Sequence, residues 1–245
     1  MMARPARRAP VRQRTARRWV IAMDGPAGVG KSTVGSLVAK ELGYRFINTG
    51  EMYRALTWKA LENRVDLSDP RAVADLALST QWEFRTQDDG VVIRTFIDGQ
   101  SVAPHIRDER VSRNSSLVAG VPGVRKHLRM LQRRLGRDGG IVMEGRDITT
   151  NVFPNADFKI YLDASVEERA ARRTRQLRAQ GKEADYEAIR EAILQRDRKD
   201  RERHINPLRQ AEGAIVIDST ALTLHEVAQR ILRHVRGGKG GTLRG

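Results

Sequence analysis

The stretch GPAGVGKST, residues 25–33, decides the fold class of this 245-residue chain. It matches GxxxxGK[ST], follows the apolar run Trp19–Asp24 and opens a predicted helix over about 31–43. The glycines let backbone N–H groups turn toward phosphate oxygens, and the helix N-terminus favours negative charge. Lys31 can reach the β- and γ-phosphates, and the Ser32 hydroxyl can bind Mg²⁺. The motif predicts nucleoside triphosphate binding but does not identify the acceptor.

Further apolar runs recur along the chain, and each ends in a polar residue: Arg45–Asn48, Ile141–Glu144, Lys159–Asp163 and Ala214–Asp218. Continuous runs, rather than alternating ones, are typical of strands buried on both faces of a parallel sheet. Helical patterns lie between them, at about 50–62, 122–137, 165–181 and 222–235. The alternation predicts an α/β three-layer P-loop fold around a five-stranded parallel sheet.

Residues 66–107 interrupt this alternation. Ser68-Asp69-Pro70 is a helix start signal, and the runs 81–86 and 91–97 flank a turn at Asp89-Gly90. A second turn at Asp98-Gly99 precedes a short run over 100–102. We expect a small antiparallel β insert between the second and third strands of the parallel sheet.

Composition excludes several classes of protein. No run approaches the roughly 18 apolar residues of a membrane span, so we expect no membrane insertion. Cysteine is absent, which excludes disulfides and thiolate catalysis. Five scattered histidines without an HExxH motif argue against a zinc hydrolase.

The net charge of +15 is concentrated at the two ends. Residues 1–18 hold seven arginines and no acid, and residues 236–245 add three basic residues, which leaves +5 for residues 19–235. We expect 1–18 to be a disordered basic tail and 236–245 a flexible tail. Besides a plain tail, weak nucleic-acid contact and organellar targeting are the alternatives for the first segment.

Basic residues follow several predicted strand ends, as a kinase that neutralises several phosphoryl groups requires. Thr49 can cap the helix after the second strand, and Tyr53 and Arg54 lie in its first turns. Arg107 closes the insert, and Arg146-Asp147 follows the third parallel strand. Two later groups are Arg169, Arg172 and Arg173, and Arg196, Asp200 and Arg203, the latter at i, i+4 and i+7 on one face of a late helix.

Taken together, these segments resemble bacterial cytidylate kinase, a nucleoside monophosphate kinase. The resemblance rests on IAMDGPAGVGKST (21–33), FINTGEMYRALTWKAL (46–61), EGRDI (144–148), VFPNADFKIYLDASVEERAARR (152–173) and RDRKDRERHINPL (196–208). It implies one P-loop nucleoside monophosphate kinase domain over 19–235, with the insert in the monophosphate-binding region. It also implies a helical lid, with its flanking helices, over about 165–205.

The resemblance implies MgATP as donor and CMP or dCMP as acceptor, giving ADP and CDP or dCDP in pyrimidine nucleotide metabolism. ATP would contact Gly25, Pro26, Ala27, Gly28, Val29, Gly30, Lys31, Ser32, Thr33 and Arg169. CMP would contact Thr49, Tyr53, Arg54, Arg107, Arg146, Asp147, Arg196, Asp200 and Arg203. Lys31, Arg146, Arg173 and Arg196 would carry the charge stabilisation, and Ser32 would ligate Mg²⁺. We expect no general base, because the acceptor phosphate is already an anion.

The chain departs from the family pattern at two places. Glu144 stands where the family often has Asp, and Thr149-Thr150 stands where it often has Gly-Thr. A lost glycine could remove a positive φ from the loop after Ile148.

Two other kinds of function compete with this interpretation. Another small-molecule kinase of the same fold is one, although an adenylate kinase would lack the insert and no shikimate-type acceptor signature is found. A nucleic-acid-binding ATPase is the other, suggested by the basic tail and weakened by the low aromatic content of 5%. We expect a cytoplasmic, monomeric enzyme without an obligate protein partner.

Overall fold

A five-stranded parallel sheet forms the centre of the computed structural model, which describes residues 18–238. Its strands are β1 (Val20–Asp24), β2 (Arg45–Asn48), β6 (Ile141–Glu144), β7 (Phe158–Asp163) and β8 (Ile215–Asp218), in the order β2-β6-β1-β7-β8. All four neighbouring pairs run parallel. The predicted parallel sheet is confirmed. Strand β1 lies at its centre, and the residues that follow β1 lie at the carboxyl edge of the sheet.

Helices cover both faces of the sheet. On one face, α1 (Lys31–Leu42) and α8 (Leu224–Arg236) pack against Ile21, Met23 and Leu162. The opposite face buries Ala22, Ile47 and Met143 under a π-helical segment at Ile148–Val152, with α5 (Pro122–Gly136) outside it. Burial on both faces explains why the strands read as continuous apolar runs.

A small three-stranded antiparallel sheet is the predicted insert. It consists of β3 (Trp82–Thr86), β4 (Ile93–Ile97) and β5 (Gln100–Ser101), and α3 (Pro70–Ser79) precedes it. The turn between β4 and β5 has positive φ at both Asp98 and Gly99, as a two-residue hairpin turn of the primed type requires. The core of the insert packs on α2 (Thr49–Glu62), where Ala55 contacts the cluster of Ile97, Val102 and Ile106.

The remaining helices are α4 (Glu109–Val118), α6 (Val166–Ala179) and α7 (Tyr186–Glu202). The sequence patterns did not predict α4, and α7 ends before Arg203, which occupies its C-cap. The predicted tails lie outside the described residues except for residue 18 and residues 236–238. Among residues 18–238, no helix is long and apolar enough to cross a membrane.

Candidate active site

The carboxyl ends of all five parallel strands carry a polar side chain: Asp24, Asn48, Glu144, Asp163 and Asp218. This edge of an open α/β sheet is where ligands bind, because the connecting loops leave a crevice there. The loops after β1, β2 and β6 bring most of the predicted site residues into one cleft.

The loop after β1 has the backbone conformation that its glycines allow. Gly25, Gly28 and Gly30 all have positive φ, at 149°, 82° and 94°. A Cβ on Gly25 would lie 2.0 Å from the carbonyl oxygen of Leu162, which is closer than any side chain permits. The glycine at position 25 is therefore required by close packing against β7 as well as by φ.

Lys31 is buried at the start of α1, and its ammonium donates hydrogen bonds to the carbonyls of Gly25 (2.7 Å) and Pro26 (2.6 Å). Burial, together with the positive charges of Arg146 and Arg196, lowers the pKa of Lys31 to about 7, although the negative charges of Glu144 and Asp24 oppose the shift. Removing a cation from water and placing other cations beside it is costly unless an anion balances the charge. The position of Lys31 thus marks an anion site.

Ser32, Glu144 and Asn48 form a group of oxygen-bearing side chains next to the loop. The Ser32 hydroxyl donates to Glu144 Oε1 at 2.5 Å, and Asn48 Nδ2 lies 3.3 Å from the Ser32 oxygen. Burial raises the pKa of Glu144, while Lys31 and the Ser32 hydroxyl oppose that shift. Hydroxyl and carboxylate oxygens of this kind suit a hard divalent cation.

Thr49 does not cap α2, so that prediction is wrong. Asn48 occupies the N-cap, where its side-chain oxygen accepts a hydrogen bond from the Gly50 N–H at 2.9 Å. The Thr49 hydroxyl instead donates to the carbonyl of Glu144 at 2.8 Å. Asparagine accepts well at an N-cap, so Thr49 is left to tie α2 to the end of β6.

Arg54 lies on the same helix and points toward the end of the insert. Its guanidinium donates to the Ile106 carbonyl (2.9 Å) and to the Ser112 hydroxyl (2.7 Å). Burial lowers the pKa of Arg54, and the positive charges of Arg146 and Arg173 lower it further. Arg107, the next residue after Ile106, is exposed.

Arg146 and Arg196 complete the cationic part of the cleft. Arg146 Nε pairs with Asp200 of α7 at 2.8 Å. Burial lowers the pKa of Arg196 to about 10, and the positive charges of Arg146 and Arg54 contribute to the shift. Arg146 therefore lies close enough to repel Lys31, Arg54 and Arg196.

Asp147 is held by a residue that the sequence patterns did not indicate. Arg125 of α5 is almost fully buried, and its guanidinium lies 2.6 Å from Asp147 Oδ2 and 5.5 Å from the centre of the Tyr53 ring. Its other bond goes to the Ala119 carbonyl at 2.9 Å. The one available signal was an arginine on the apolar stripe that Val121, Val124 and Leu128 define.

Arg203 is brought to this pocket from beyond the end of α7, so its predicted place on the helix face with Arg196 and Asp200 is wrong. Its guanidinium donates to the carbonyls of Ile205 and Asn206. Burial lowers the pKa of Arg203, Arg125 adds to the shift, and Asp147 opposes it. The chain leaves the helix at Arg203, whose ψ is 129°, and it then turns at Asn206, which has positive φ, so that the Leu208 N–H donates to the Asp200 carbonyl at 2.8 Å.

Arg169 and Arg173, the two arginines of α6 with predicted site roles, are placed differently from each other. Arg169 has only 2% of its surface exposed, and its guanidinium contacts the Ala27 carbonyl at 3.0 Å and Asp197 of α7 at 2.7 Å. It links the phosphate loop to α6 and α7. Arg173 is exposed and donates to Gln176, yet its charge lies near Arg54.

The residues after Ile148 that differ from the family pattern also have a structural consequence. Ile148–Val152 forms a π-helical segment without any positive φ, so threonine at 149 is not strained. The N–H groups of Ile148 and Thr149, and the Thr149 hydroxyl, donate to the carboxylate of Asp24 at 2.9, 2.7 and 2.5 Å. Asp24 therefore joins the end of β1 to the loop that carries Arg146 and Asp147.

Comparison with known proteins gives one consistent result. A family model described as cytidylate kinase matches residues 21–237. The cytidylate kinase of Geobacillus sp. (strain WCH70) is 47% identical over 215 residues, which are 88% of this chain and 95% of that protein. That of Symbiobacterium thermophilum is 48% identical over 220 residues, covering 90% and 97%. That of Bacillus subtilis is 46% identical over 215 residues, covering 88% and 95%.

Proposed function

The chain belongs to the cytidylate kinase family and transfers a phosphoryl group from ATP to CMP, and we propose that the transfer takes place in the cleft at the carboxyl edge of the sheet. ATP binds through residues 25–33, and CMP binds through the loops after β2 and β6 and the end of α7. We propose dCMP as a second acceptor of the enzyme.

The observation that carries the site assignment is the convergence of like charges. Lys31, Arg54, Arg146 and Arg196 face one cleft, and their mutual repulsion contributes to the lowered pKa values of Lys31, Arg54 and Arg196. A folded protein keeps such an arrangement when a polyanion binds there. Two nucleotides placed end to end supply that charge.

On the donor side, the backbone N–H groups of residues 28–32 receive the phosphates, and Lys31 exchanges its carbonyl contacts for phosphate oxygens. The Ser32 hydroxyl, with the carboxylate of Glu144 near it, is the site for Mg²⁺ because both offer hard oxygen ligands. When bound, Mg²⁺ neutralises phosphate charge during transfer. The Arg169 guanidinium supports Ala27 from behind, and its predicted contact with adenine stays part of the proposal.

On the acceptor side, Arg54, Arg107 and Arg146 bind the phosphate of CMP. Tyr53, Thr49 and Asp147 border the nucleoside, with Arg203 at the cytosine and Asp200 and Arg196 at the pentose. We add Arg125 to this group, because its ion pair fixes the carboxylate of Asp147.

Catalysis then rests on positioning and charge stabilisation, with no general base. The acceptor phosphate oxygen attacks the γ-phosphorus in line, and the bond to the β-phosphate oxygen breaks. Lys31, Arg146, Arg173 and Arg196 balance the negative charge during transfer. The pair α6 and α7 serves as the lid and its flanking helix, and closure excludes water that would otherwise hydrolyse ATP.

The test is an ADP-release assay with MgATP and CMP, dCMP, UMP, AMP or GMP in parallel. We expect turnover with CMP and dCMP well above the other three acceptors. In the same assay, R146M lowers kcat on the order of 10²–10³-fold, whereas R113M on the exposed side of α4 leaves it unchanged. ATP hydrolysis that is independent of the acceptor, or an R146M variant with normal kcat, would contradict the proposal.

The proposal also includes a monomeric enzyme with small-molecule substrates and a cytoplasmic location. The similarity to the named kinases over most of their length supports the small-molecule substrates of this proposal. Contact with nucleic acid through the basic tail concerns residues outside the described range.

A further inference from the structure

A buried acid lies inside the acceptor-side motif without a role in the transfer described above. Glu51 is in the first turn of α2, between Thr49 and Arg54, and only 8% of its surface is exposed. Its carboxylate pairs with Arg94 of β4, in the insert, at 2.7 Å. The pair therefore joins the helix that carries Tyr53 and Arg54 to the small antiparallel sheet.

The contacts of the insert with α2 follow one face of that helix. Glu51, Arg54 and Trp58 are spaced at i, i+3 and i+7, so they line up along the helix. Arg94 contacts the first of them, the Ile106 carbonyl accepts from the second, and the ring of His105 stacks on the third at 4.2 Å. The ion pair is the attachment nearest the N-terminus of α2 among these three.

Arg107 depends on these contacts for its position. It follows Ile106 directly, and Ile106 packs with Ala55 of α2. Burial raises the pKa of Glu51, and the positive charges of Arg94 and Arg107 lower it, so both guanidinium groups lie near this carboxylate. Arg94 keeps a third of its side chain exposed, so it is not a core residue of the insert.

We propose that Glu51 and Arg94 are positioning residues for the acceptor phosphate: their ion pair holds the insert against α2 so that Arg107 and Arg54 face the same phosphate group. This inference rests on the proposed roles of Arg54 and Arg107. The insert thus affects CMP binding through one ion pair, and that pair has no comparable effect on ATP binding.

The experiment compares E51Q, R94M and E51Q/R94M in steady-state assays with CMP and ATP varied separately, and records thermal unfolding of each. We expect KM for CMP to rise about tenfold in either single variant, with kcat and KM for ATP changed less than about twofold, because removing either partner breaks the ion pair that the two residues share. The double variant should resemble the single variants. R94K, which keeps the charge, should recover most of the affinity.

E83Q is the matched control, because Glu83 forms an exposed ion pair with Arg85 in the same small sheet. It should leave KM for CMP unchanged. A loss of thermal stability in E51Q and R94M with normal KM for CMP would overturn the inference, as would additive effects in the double variant. If E51Q fails to fold, the comparison of KM for CMP between R94M and R94K tests the inference.

R107M separates this inference from the proposed site. If R107M raises KM for CMP while R94M does not, the positioning role is wrong and the site assignment stands. If R107M has no effect on KM for CMP, the assignment of Arg107 itself fails.

Discussion

Asp24 shows how a single buried carboxylate links the two halves of the site. It ends β1, has no exposed surface, and accepts three hydrogen bonds from Ile148 and Thr149. Burial raises its pKa from 3.8 to about 6, although the hydrogen bonds from Thr149 and Ile148 lower it. Between those two pH values the folded chain holds a proton on Asp24 that the unfolded chain has lost.

The stability of the protein should therefore depend on this proton. Because the folded pKa is raised, the contribution of Asp24 is greatest below pH 4 and falls as the pH rises through about 6. Asparagine does not titrate, so the stability of D24N lacks this pH dependence. As the pH rises from about 4 to about 6, the unfolding free energy of D24N should therefore increase by roughly 3 kcal/mol relative to that of the wild type. Urea unfolding at pH 4, 5, 6 and 7 measures the difference.

An acid with the opposite shift provides the control. Asp89 is exposed, and hydrogen bonds from the N–H groups of Val91 and Val92 lower its pKa. D89N should therefore lose stability relative to wild type only as the pH rises toward about 4, and the difference between D89N and wild type should stay nearly constant between about pH 5 and 7. Parallel pH profiles for D24N and wild type would contradict the role given to Asp24.

Arg125 leads to a second prediction at this scale. R125M removes the only charged partner that the described residues show within hydrogen-bonding distance of Asp147, so this carboxylate loses its fixed orientation. We expect KM for CMP to rise on the order of 10²-fold, since truncating one partner of a buried, hydrogen-bonded charge pair at a binding site costs about 2–5 kcal/mol of binding free energy. KM for ATP should change little in the same assay.

R134M, on the exposed side of α5, tests whether any arginine lost from this helix has the same effect. It should leave both KM values at their wild-type level. Equal rises in KM for CMP and ATP in R125M would indicate general loosening of α5 instead of a contact with Asp147.

At the scale of secondary-structure elements, local sequence patterns were sufficient to predict the strands and turns. The apolar runs ending at Asp24 and Glu144 became parallel strands, and Asp98-Gly99 became the tight turn of the insert. These features depend on a few neighbouring residues, so the sequence carries them directly. The phosphate loop is predicted for the same reason, since its glycines and Lys31 act within nine residues.

Features that depend on distant partners were not predictable in this way. Helix α4 reads as polar, with only Val111 and Val118 fully buried among its apolar residues, and its position comes from packing against α2. Arg125 reads as a surface cation on an amphipathic helix, and its partner Asp147 is 22 residues away. The role of Glu51 likewise depends on its ion pair with Arg94, which lies in the small antiparallel sheet.

The pair of helices α6 and α7 gives a prediction about an element as a whole. Arg169 of α6 and Asp197 of α7 are both about 2% exposed, and Arg169 also contacts the phosphate loop at Ala27. D197N leaves the arginine charge buried without a counter-charge, which costs about 3–5 kcal/mol. We expect a lower unfolding midpoint and a rise in KM for ATP that exceeds any rise in KM for CMP.

D185A tests α7 without touching this pair. Asp185 caps the helix by accepting hydrogen bonds from the N–H groups of Glu187 and Ala188. Its loss should cost about 1 kcal/mol of stability and leave both KM values unchanged. If D197N raises KM for CMP more than KM for ATP, the pair supports the acceptor site and not the phosphate loop.

For the whole molecule, the placement of charge separates binding of nucleotides from binding of nucleic acid. Residues 19–235 have a net charge of +5, while the segment 1–18 contributes seven arginines. Within the described residues, the cations of the cleft lie close together, whereas Arg113, Arg137 and Arg198 pair with nearby acids on the surface. A nucleotide kinase needs the first group and not the terminal arginines.

Deletion of residues 2–17 tests this division, because it removes six arginines and leaves every residue of the site in place. We expect kcat and both KM values to stay within twofold of wild type, while retention on heparin at low salt falls, since such retention depends on the number of phosphate-like contacts. A matched variant that changes the same six arginines to glutamine keeps the length and separates charge from chain length. If either variant loses CMP-dependent turnover together with heparin binding, the terminal arginines take part in the reaction and the cleft alone does not account for it.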